Sequence, residues 1–181
     1  QVRLWDTLIA NHLMSKKICV PPREDQVKET KYVGAYVKEP NPGLYKWVVS
    51  FDINSLYPHI IIQYNISPEK ILGVKSNGVS VERMLEGRTP LDYLETEGAC
   101  ITPNGALFKT DSQGFLPEMM ETMYNERVIY KKRMLKAKQE YEKTKDPKLV
   151  KEISRCHNIQ WARKIALNSA YGAVGNQYFR Y

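Results

Sequence analysis

Two long helical segments joined by a very short turn constrain the fold of this chain more than any other feature. Leu116–Glu118 places a proline and an acid in a first helical turn, and the helical pattern then runs to about Thr144. Asp146–Pro147 starts the second segment, with aspartate as cap and proline as first residue, and this pattern reaches about Tyr171. Consecutive helices joined by so short a turn lie antiparallel. The sequence therefore predicts a long helical hairpin over residues 116–171.

The hairpin carries the positive charge of the chain. Residues 124–164 contain thirteen Lys or Arg against five Asp or Glu, whereas the whole chain has a formal net charge of +7. Such a patch is either a solvated helix face or the footprint of a polyanion. Polar side chains four positions apart project from one face of each helix, and these pairs are Arg127 with Lys131 and Lys164 with Asn168. If the hairpin folds as expected, the four donors converge and suit a triphosphate.

A single acidic residue stands between two apolar runs upstream of the hairpin. Residues 46–51 are rich in β-branched and aromatic side chains and predict a buried strand, with Asp52 at its end. The following bend leads into a helical pattern over Leu56–Tyr64, with Pro58 early in the first turn. Asp52 alone is typical of a polar strand end, but backbone amides at such a bend can also hold an anion, and the carboxylate a divalent cation.

The segment Asp52–Pro58, Asp-Ile-Asn-Ser-Leu-Tyr-Pro, resembles the first palm motif of family B DNA polymerases. Many members of that family have Ser after the proline, where this chain has His59. The resemblance implies two catalytic Mg²⁺ ions and the following roles: Asp52 binds both ions, Ile53 offers its carbonyl to one of them, Ser55 and Leu56 hold the triphosphate through their amides, and Tyr57 packs under the sugar and rejects ribose.

A second segment, Lys164–Gly172, resembles the Lys-x-x-x-Asn-Ser-x-Tyr-Gly motif in the fingers of the same family. The resemblance implies that Lys164 and Asn168 contact the incoming nucleotide, and that Tyr171 and Gly172 lie beside the nascent base pair. Arg127 and Lys131 match the Arg and Lys that the preceding fingers helix supplies to the triphosphate in that family.

A weaker motif, Tyr32-Val33-Gly34-Ala35, resembles the family's Tyr-x-Gly-Gly/Ala segment, which touches template DNA through positions that are here Tyr32, Gly34 and Ala35. The expected fold class is α+β, with a partial palm sheet and a long antiparallel helical hairpin as fingers. The expected domains are the tail of a preceding domain with a linker (1–31), a partial palm with an insert (32–115), the fingers hairpin (116–171) and a return to the palm (172–181).

The remaining segments are predicted to be structural elements without a chemical role. Residues 1–17 have apolar positions three and four apart and predict an amphipathic helix, and the charged stretch 23–31 predicts a linker. Residues 73–98 mix charges and turn residues and predict a peripheral insert. Residues 101–108 predict a β-hairpin with Asn104-Gly105 at its turn.

The family's Asp-Thr-Asp motif, whose second carboxylate completes the metal site, is missing from these 181 residues. Two-metal phosphoryl transfer needs at least two carboxylates, and Asp52 is one. We therefore expect a piece of a replicative polymerase, most similar to those of T-even-like tailed bacteriophages, and inactive by itself. The alternatives are one part of a split polymerase, a non-catalytic DNA- or nucleotide-binding module, and a structural helical hairpin at a subunit interface.

The composition of the chain indicates the cellular compartment in which it works. There is no apolar run of 18 residues and no signal-peptide pattern, which predicts neither a membrane span nor secretion. Three widely spaced cysteines without a Cys-x-x-Cys pair fit a reducing, intracellular compartment, the host cytoplasm if the source is viral. The partners implied by the resemblance are primer–template DNA, deoxynucleoside triphosphates and, for the full-length protein, a sliding clamp.

Overall fold

The computed structural model describes residues 2–20, 22, 36–75 and 78–181. It contains helices and a small sheet, which confirms the predicted α+β class. The elements in chain order are α1 (Val2–Ser15), α2 (Leu56–Gln63), a 3₁₀ turn (Pro68–Lys70), β1 (Ile71–Val74), α3 (Val81–Leu85), α4 (Tyr93–Glu97), β2 (Ala99–Ile101), β3 (Ala106–Lys109), α5 (Phe115–Thr144) and α6 (Pro147–Val174). In this part of the chain, no helix is both long and apolar enough to cross a membrane.

The antiparallel pair α5 and α6 forms the predicted helical hairpin. Lys145 ends α5 in a left-handed conformation, with φ at 55°, and reverses the chain. The Asp146 side chain then caps α6 by accepting a hydrogen bond of 2.9 Å from the Lys148 amide. Ion pairs join the helices from Arg133 to Glu152 at 2.6 Å and from Arg163 to Glu126 at 2.7 Å. The local capping signals and the short turn therefore set the hairpin geometry that the sequence predicted.

The main core lies at the base of this hairpin, where α1 packs against both long helices. Trp5, Ile9 and Leu13 of α1 are buried against apolar side chains of α5 and α6. The Trp5 indole N–H lies 3.2 Å from the carbonyl of Ala166 and 3.3 Å from Ser169 Oγ. Burial of a large aromatic ring with its polar atom satisfied is a strong stabilising arrangement. This core fixes the ends of α5 and α6 that lie beside α2.

The small sheet is antiparallel, with strand order β1-β3-β2. Asn104-Gly105 lies between β2 and β3, which confirms the predicted hairpin. Gly105 has φ at +88°, and an added Cβ would lie 2.2 Å from the carbonyl oxygen of Lys75, so only glycine fits this turn. The predicted insert over 73–98 contains the end of β1 and the short helices α3 and α4.

The predicted strand over residues 46–51 is wrong. The segment is irregular, and Trp47 has φ at +57°. The side chains of Trp47 and Phe51 are 96% and 92% exposed. A strand needs a neighbouring backbone for its hydrogen bonds, and the three strands of the described sheet pair among themselves without this segment. Asp52 therefore lies on an exposed, irregular segment just before α2.

Residues 65–69, which follow α2, cap the start of α5. Three side chains accept hydrogen bonds from backbone amides there: Asn65 Oδ1 from Gly114 at 2.8 Å, Glu69 Oε1 from Phe115 at 2.8 Å and Ser67 Oγ from Leu116 at 3.4 Å. The first amides of a helix have no acceptor within the helix, so these contacts satisfy groups that would otherwise lose hydrogen bonds. The cap also fixes α2 beside α5.

We expect Gly114→Ala to destabilise the protein by roughly 1–3 kcal/mol, because extra methyl groups in a packed contact force shifts. A Cβ at position 114 would lie 2.6 Å from the Ser67 Cβ and 3.2 Å from Glu69 Oε1. The free energy of unfolding by denaturant measures this loss. Gly172→Ala is the control, since a Cβ there meets nothing within 4 Å and alanine favours a helix interior. If the two variants have the same free energy of unfolding, residues 65–69 do not pack against Gly114 as described.

Candidate active site

A cavity of about 300 Å³ lies between the turn before α2 and the base of the hairpin. It is lined by ten residues: Asp52, Ile53, Asn54, Ser55, Leu56, Tyr57, Pro58, Arg127, Lys164 and Asn168. The first seven are consecutive, and the other three come from α5 and α6. Three segments distant in sequence therefore share one pocket, which is typical of a small-molecule site.

Eight of the predicted site residues meet in this cavity, and the others lie elsewhere. Lys131 is exposed on α5, one turn beyond Arg127, and does not line the cavity. Tyr171 lies behind Tyr57, and Gly172 follows it on α6 without lining the cavity. The predicted template contacts Tyr32, Gly34 and Ala35 lie outside the described residues.

Ser55, the N-cap residue of α2, adopts an uncommon backbone conformation. Its φ of 55° and ψ of 44° are left-handed, which non-glycine residues adopt rarely and mostly where neighbouring contacts hold them. The Arg127 guanidinium donates a hydrogen bond of 3.1 Å from Nη1 to Ser55 Oγ. The Nε of Arg127 is buried and has no acceptor among the described residues. Arg127 thus joins α5 to the turn before α2 and keeps donor capacity for an anion.

Two aromatic rings stack across the wall of the cavity. The ring centroids of Tyr57 on α2 and Tyr171 on α6 are 4.9 Å apart, and the ring planes differ by 8°. Stacked aromatic pairs contribute roughly 0.5–1.5 kcal/mol beyond the burial of their surface. The stack therefore favours one position of the Tyr57 ring in the cavity wall.

Lys164 is held by an aromatic partner that the sequence analysis did not identify. Its ammonium lies 5.0 Å from the ring centroid of Trp161, within the range of a cation–π contact. The His157 ring lies beside the same indole, with centroids 6.0 Å apart. A signal was present in the sequence, because Trp161 precedes Lys164 by three positions and so lies on the same helix face. The contact restrains the flexible side chain of a residue that lines the cavity.

The charges of the cavity favour an anionic ligand together with a cation. Arg127 and Lys164 are positive, and Asp52 is the carboxylate that lines the cavity. Among residues 2–20, 22, 36–75 and 78–181, no group of three or more His, Cys, Asp or Glu side chains could hold a metal ion. The lining therefore combines one carboxylate, a ligand type that hard cations prefer, with two positive side chains that could bind an anion.

Comparison with known proteins places the chain in a family. The family model for DNA polymerase family B matches residues 1–180. The DNA-directed DNA polymerase of Escherichia phage RB69 is 30% identical, in an alignment covering 99% of this chain and 24% of that protein. The corresponding protein of Enterobacteria phage T4 is 28% identical, with the same coverage of 99% and 24%. DNA polymerase 1 of Pyrococcus abyssi is 34% identical over 84% of this chain and 16% of its own length.

The match with the family runs through the cavity as well as the scaffold, since it includes residues 52–58 and both helices of the hairpin. The chain spans about a quarter, 24%, of the length of the two phage relatives. It belongs to family B of the DNA polymerases.

Proposed function

We propose that this chain forms the start of the palm and the fingers of a polymerase that adds deoxynucleotides to a primer 3′-hydroxyl under the direction of a template. The observation that carries the proposal is the cavity itself, in which residues 52–57 meet Arg127, Lys164 and Asn168. We divide the chain accordingly into a preceding tail with a linker (1–31), a partial palm (32–115), the fingers (116–171) and a return to the palm (172–181).

The incoming nucleotide fits this cavity with its triphosphate toward the hairpin. Arg127 offers a planar guanidinium, Lys164 a point charge and Asn168 a neutral amide, which together suit several phosphate oxygens. The amides of Ser55 and Leu56, at the start of α2, complete the cradle from the other side. We assign exposed Lys131, one turn toward the tip, to the same triphosphate. Positioning and charge balance of this type supply most of the catalysis in phosphoryl transfer.

The Asp52 carboxylate and the Ile53 carbonyl supply oxygen atoms, which are the ligands that Mg²⁺ prefers. We propose that they hold Mg²⁺, two ions in the complete enzyme. When bound, such ions lower the cost of developing charge on the attacking and leaving oxygens. Asp52 is one carboxylate where two ions need more, so we infer that a second comes from residues other than those described. We expect the 181 residues alone to bind nucleotide without joining it to a primer.

The DNA contacts follow from the same assignment. Tyr171 and Gly172 would lie beside the nascent base pair, because Tyr171 stacks on the Tyr57 ring that lines the cavity. Tyr32, Gly34 and Ala35 are proposed to contact the template. The sliding clamp stays a prediction for the full-length protein, as does a location in the host cytoplasm.

A non-catalytic DNA- or nucleotide-binding role is the second candidate, favoured by the basic hairpin and the single carboxylate of the cavity. The test is templated primer extension by the full-length polymerase with and without Mg²⁺. Extension that requires Mg²⁺ supports the polymerase. Binding of DNA that falls steeply with salt, without extension under any divalent cation, supports the second candidate instead.

Arg127→Gln is expected to raise the KM for deoxynucleotides roughly 10- to 150-fold, because hydrogen bonds to charged groups contribute about 1.5–3 kcal/mol. Steady-state primer extension at varied nucleotide concentration measures this change. Arg133→Gln is the matched control, since Arg133 lies on the same helix but pairs with Glu152 and does not line the cavity. The assignment of Arg127 fails if the two variants have the same KM.

A further inference from the structure

His59, the residue at which this chain departs from the serine of many family members, makes two specific contacts. It lies in the first turns of α2, and its Nδ1 is 2.9 Å from the carbonyl oxygen of Ser55. Its ring meets the Tyr124 ring edge-on, with centroids 4.6 Å apart and planes at 83°. His59 does not line the cavity, but its contact with Ser55 reaches a residue that does.

The contact with Ser55 bears on the uncommon backbone conformation at that residue. The Ser55 carbonyl accepts a hydrogen bond from the His59 backbone amide at 3.2 Å and lies within hydrogen-bond distance of the His59 ring. A carbonyl can only accept, so Nδ1 must carry a proton in this contact. The Ser55 hydroxyl is held separately by Arg127. Ser55 is thus held at both its carbonyl and its side chain. Contacts of this kind are needed to keep a residue other than glycine in the left-handed conformation.

The contact with Tyr124 connects the same turn to the hairpin. Tyr124 lies on α5, three residues before Arg127 and therefore on a similar face of the helix. Its ring is half-buried and packs against the main core. His59 consequently bridges α2 and α5 beside the Ser55–Arg127 hydrogen bond, resting on a side chain that the core holds in place.

We propose that His59 is a positioning residue for the nucleotide. The Nδ1–H of His59 holds the Ser55 turn, and the edge contact with Tyr124 sets the distance from that turn to α5, so that the Ser55 amide and Arg127 meet the triphosphate together. This inference rests on the proposed function of the cavity. It gives this polymerase a hydrogen-bonded bridge at a place where a serine side chain is too short to reach an aromatic ring on α5.

The test compares two substitutions of His59 in the full-length polymerase by single-turnover incorporation, which separates the apparent nucleotide Kd from the maximal rate. His59→Asn can place an amide N–H near the position of Nδ1, whereas His59→Leu keeps the bulk and removes the donor. We expect His59→Leu to raise the Kd roughly 3- to 10-fold with a smaller change in rate, as for a lost neutral hydrogen bond. His59→Asn keeps the donor and loses the ring contact with Tyr124, so its Kd should rise by a smaller factor than that of His59→Leu.

Coupling to Arg127 provides the second measurement. If His59 acts through the Ser55 turn, His59→Leu should raise the Kd by a smaller factor in the Arg127→Gln background than in the wild type, because the two residues share one partner. Equal factors in both backgrounds, or equal Kd values for His59→Leu and His59→Asn, would overturn the inference. A wild-type enzyme that binds no deoxynucleotide would instead overturn the proposed function of the cavity.

Discussion

Asp52→Ala should abolish primer extension while leaving the affinity for primer–template DNA nearly unchanged. Asp52 is the carboxylate that lines the cavity together with Arg127 and Lys164. Loss of a ligand to catalytic metal ions removes several kcal/mol of transition-state stabilisation, and each 1.36 kcal/mol is about tenfold in rate, so a loss of roughly 1,000-fold or more is expected. The DNA affinity should persist because the basic surface of the hairpin, residues 124–164, does not include Asp52.

Single-turnover extension at saturating nucleotide measures the rate, and a mobility-shift titration measures DNA affinity. Asp92→Ala is the matched control, since Asp92 is exposed before α4, makes no side-chain cap and lies outside the cavity. It should extend primers at the wild-type rate. Asp52→Ala with near-normal turnover would remove the metal assignment, and equal losses in both variants would show that the effect is not local to the cavity.

The hairpin could be predicted from sequence because the signals that set it are local. Asp146 and Pro147 start α6 directly after α5 ends, and the short turn leaves an antiparallel pair as the solution. Once the helices are antiparallel, Arg127 and Lys164 lie at one end of the hairpin, because they stand at similar distances along the chain on either side of the turn at Lys145. The hairpin geometry does not determine where the Asp52 segment packs against these residues, because that contact joins segments distant in sequence.

Lys131 shows the limit of that reasoning. Its spacing from Arg127 places both side chains on one face, but one helical turn also moves Lys131 about 5.4 Å along the axis. Only Arg127 of the two lines the cavity, because the cavity lies at the base of the hairpin. A shared face therefore predicts direction, whereas distance to a site depends on where along the helix the partner segment packs.

Long-range partners account for the features that the sequence could not predict. The strand expected over residues 46–51 has the right composition, but a strand forms only where another backbone pairs with it. The cap on α5 comes from residues 65–69, some 50 positions earlier in the chain, and no local sequence pattern predicts it. The left-handed Ser55 is likewise held by a side chain from α5. In each case the determining contact joins segments distant in sequence.

Tyr57→Ala should weaken the rejection of ribonucleotides, because it removes a wall that would collide with a 2′-hydroxyl. Tyr57 lines the cavity, and its stacking on Tyr171, with ring centroids 4.9 Å apart, favours the observed position of the ring. Specificity built on such a clash is lost when the clashing group is removed, and we expect the preference for deoxynucleotides to fall roughly 10- to 100-fold, or about 1.4–2.8 kcal/mol.

The measurement is the ratio of kcat/KM for a deoxynucleotide to kcat/KM for the matching ribonucleotide. Tyr57→Phe should keep the wild-type ratio, since the ring rather than the hydroxyl forms the wall. Tyr141→Ala, which removes a tyrosine near the far end of α5, should also keep it. If Tyr57→Ala leaves the ratio unchanged, the sugar does not lie against this ring and the orientation of the nucleotide in the cavity must be revised. If Tyr57→Phe loses as much selectivity as Tyr57→Ala, the hydroxyl and not the stacked ring discriminates between the sugars.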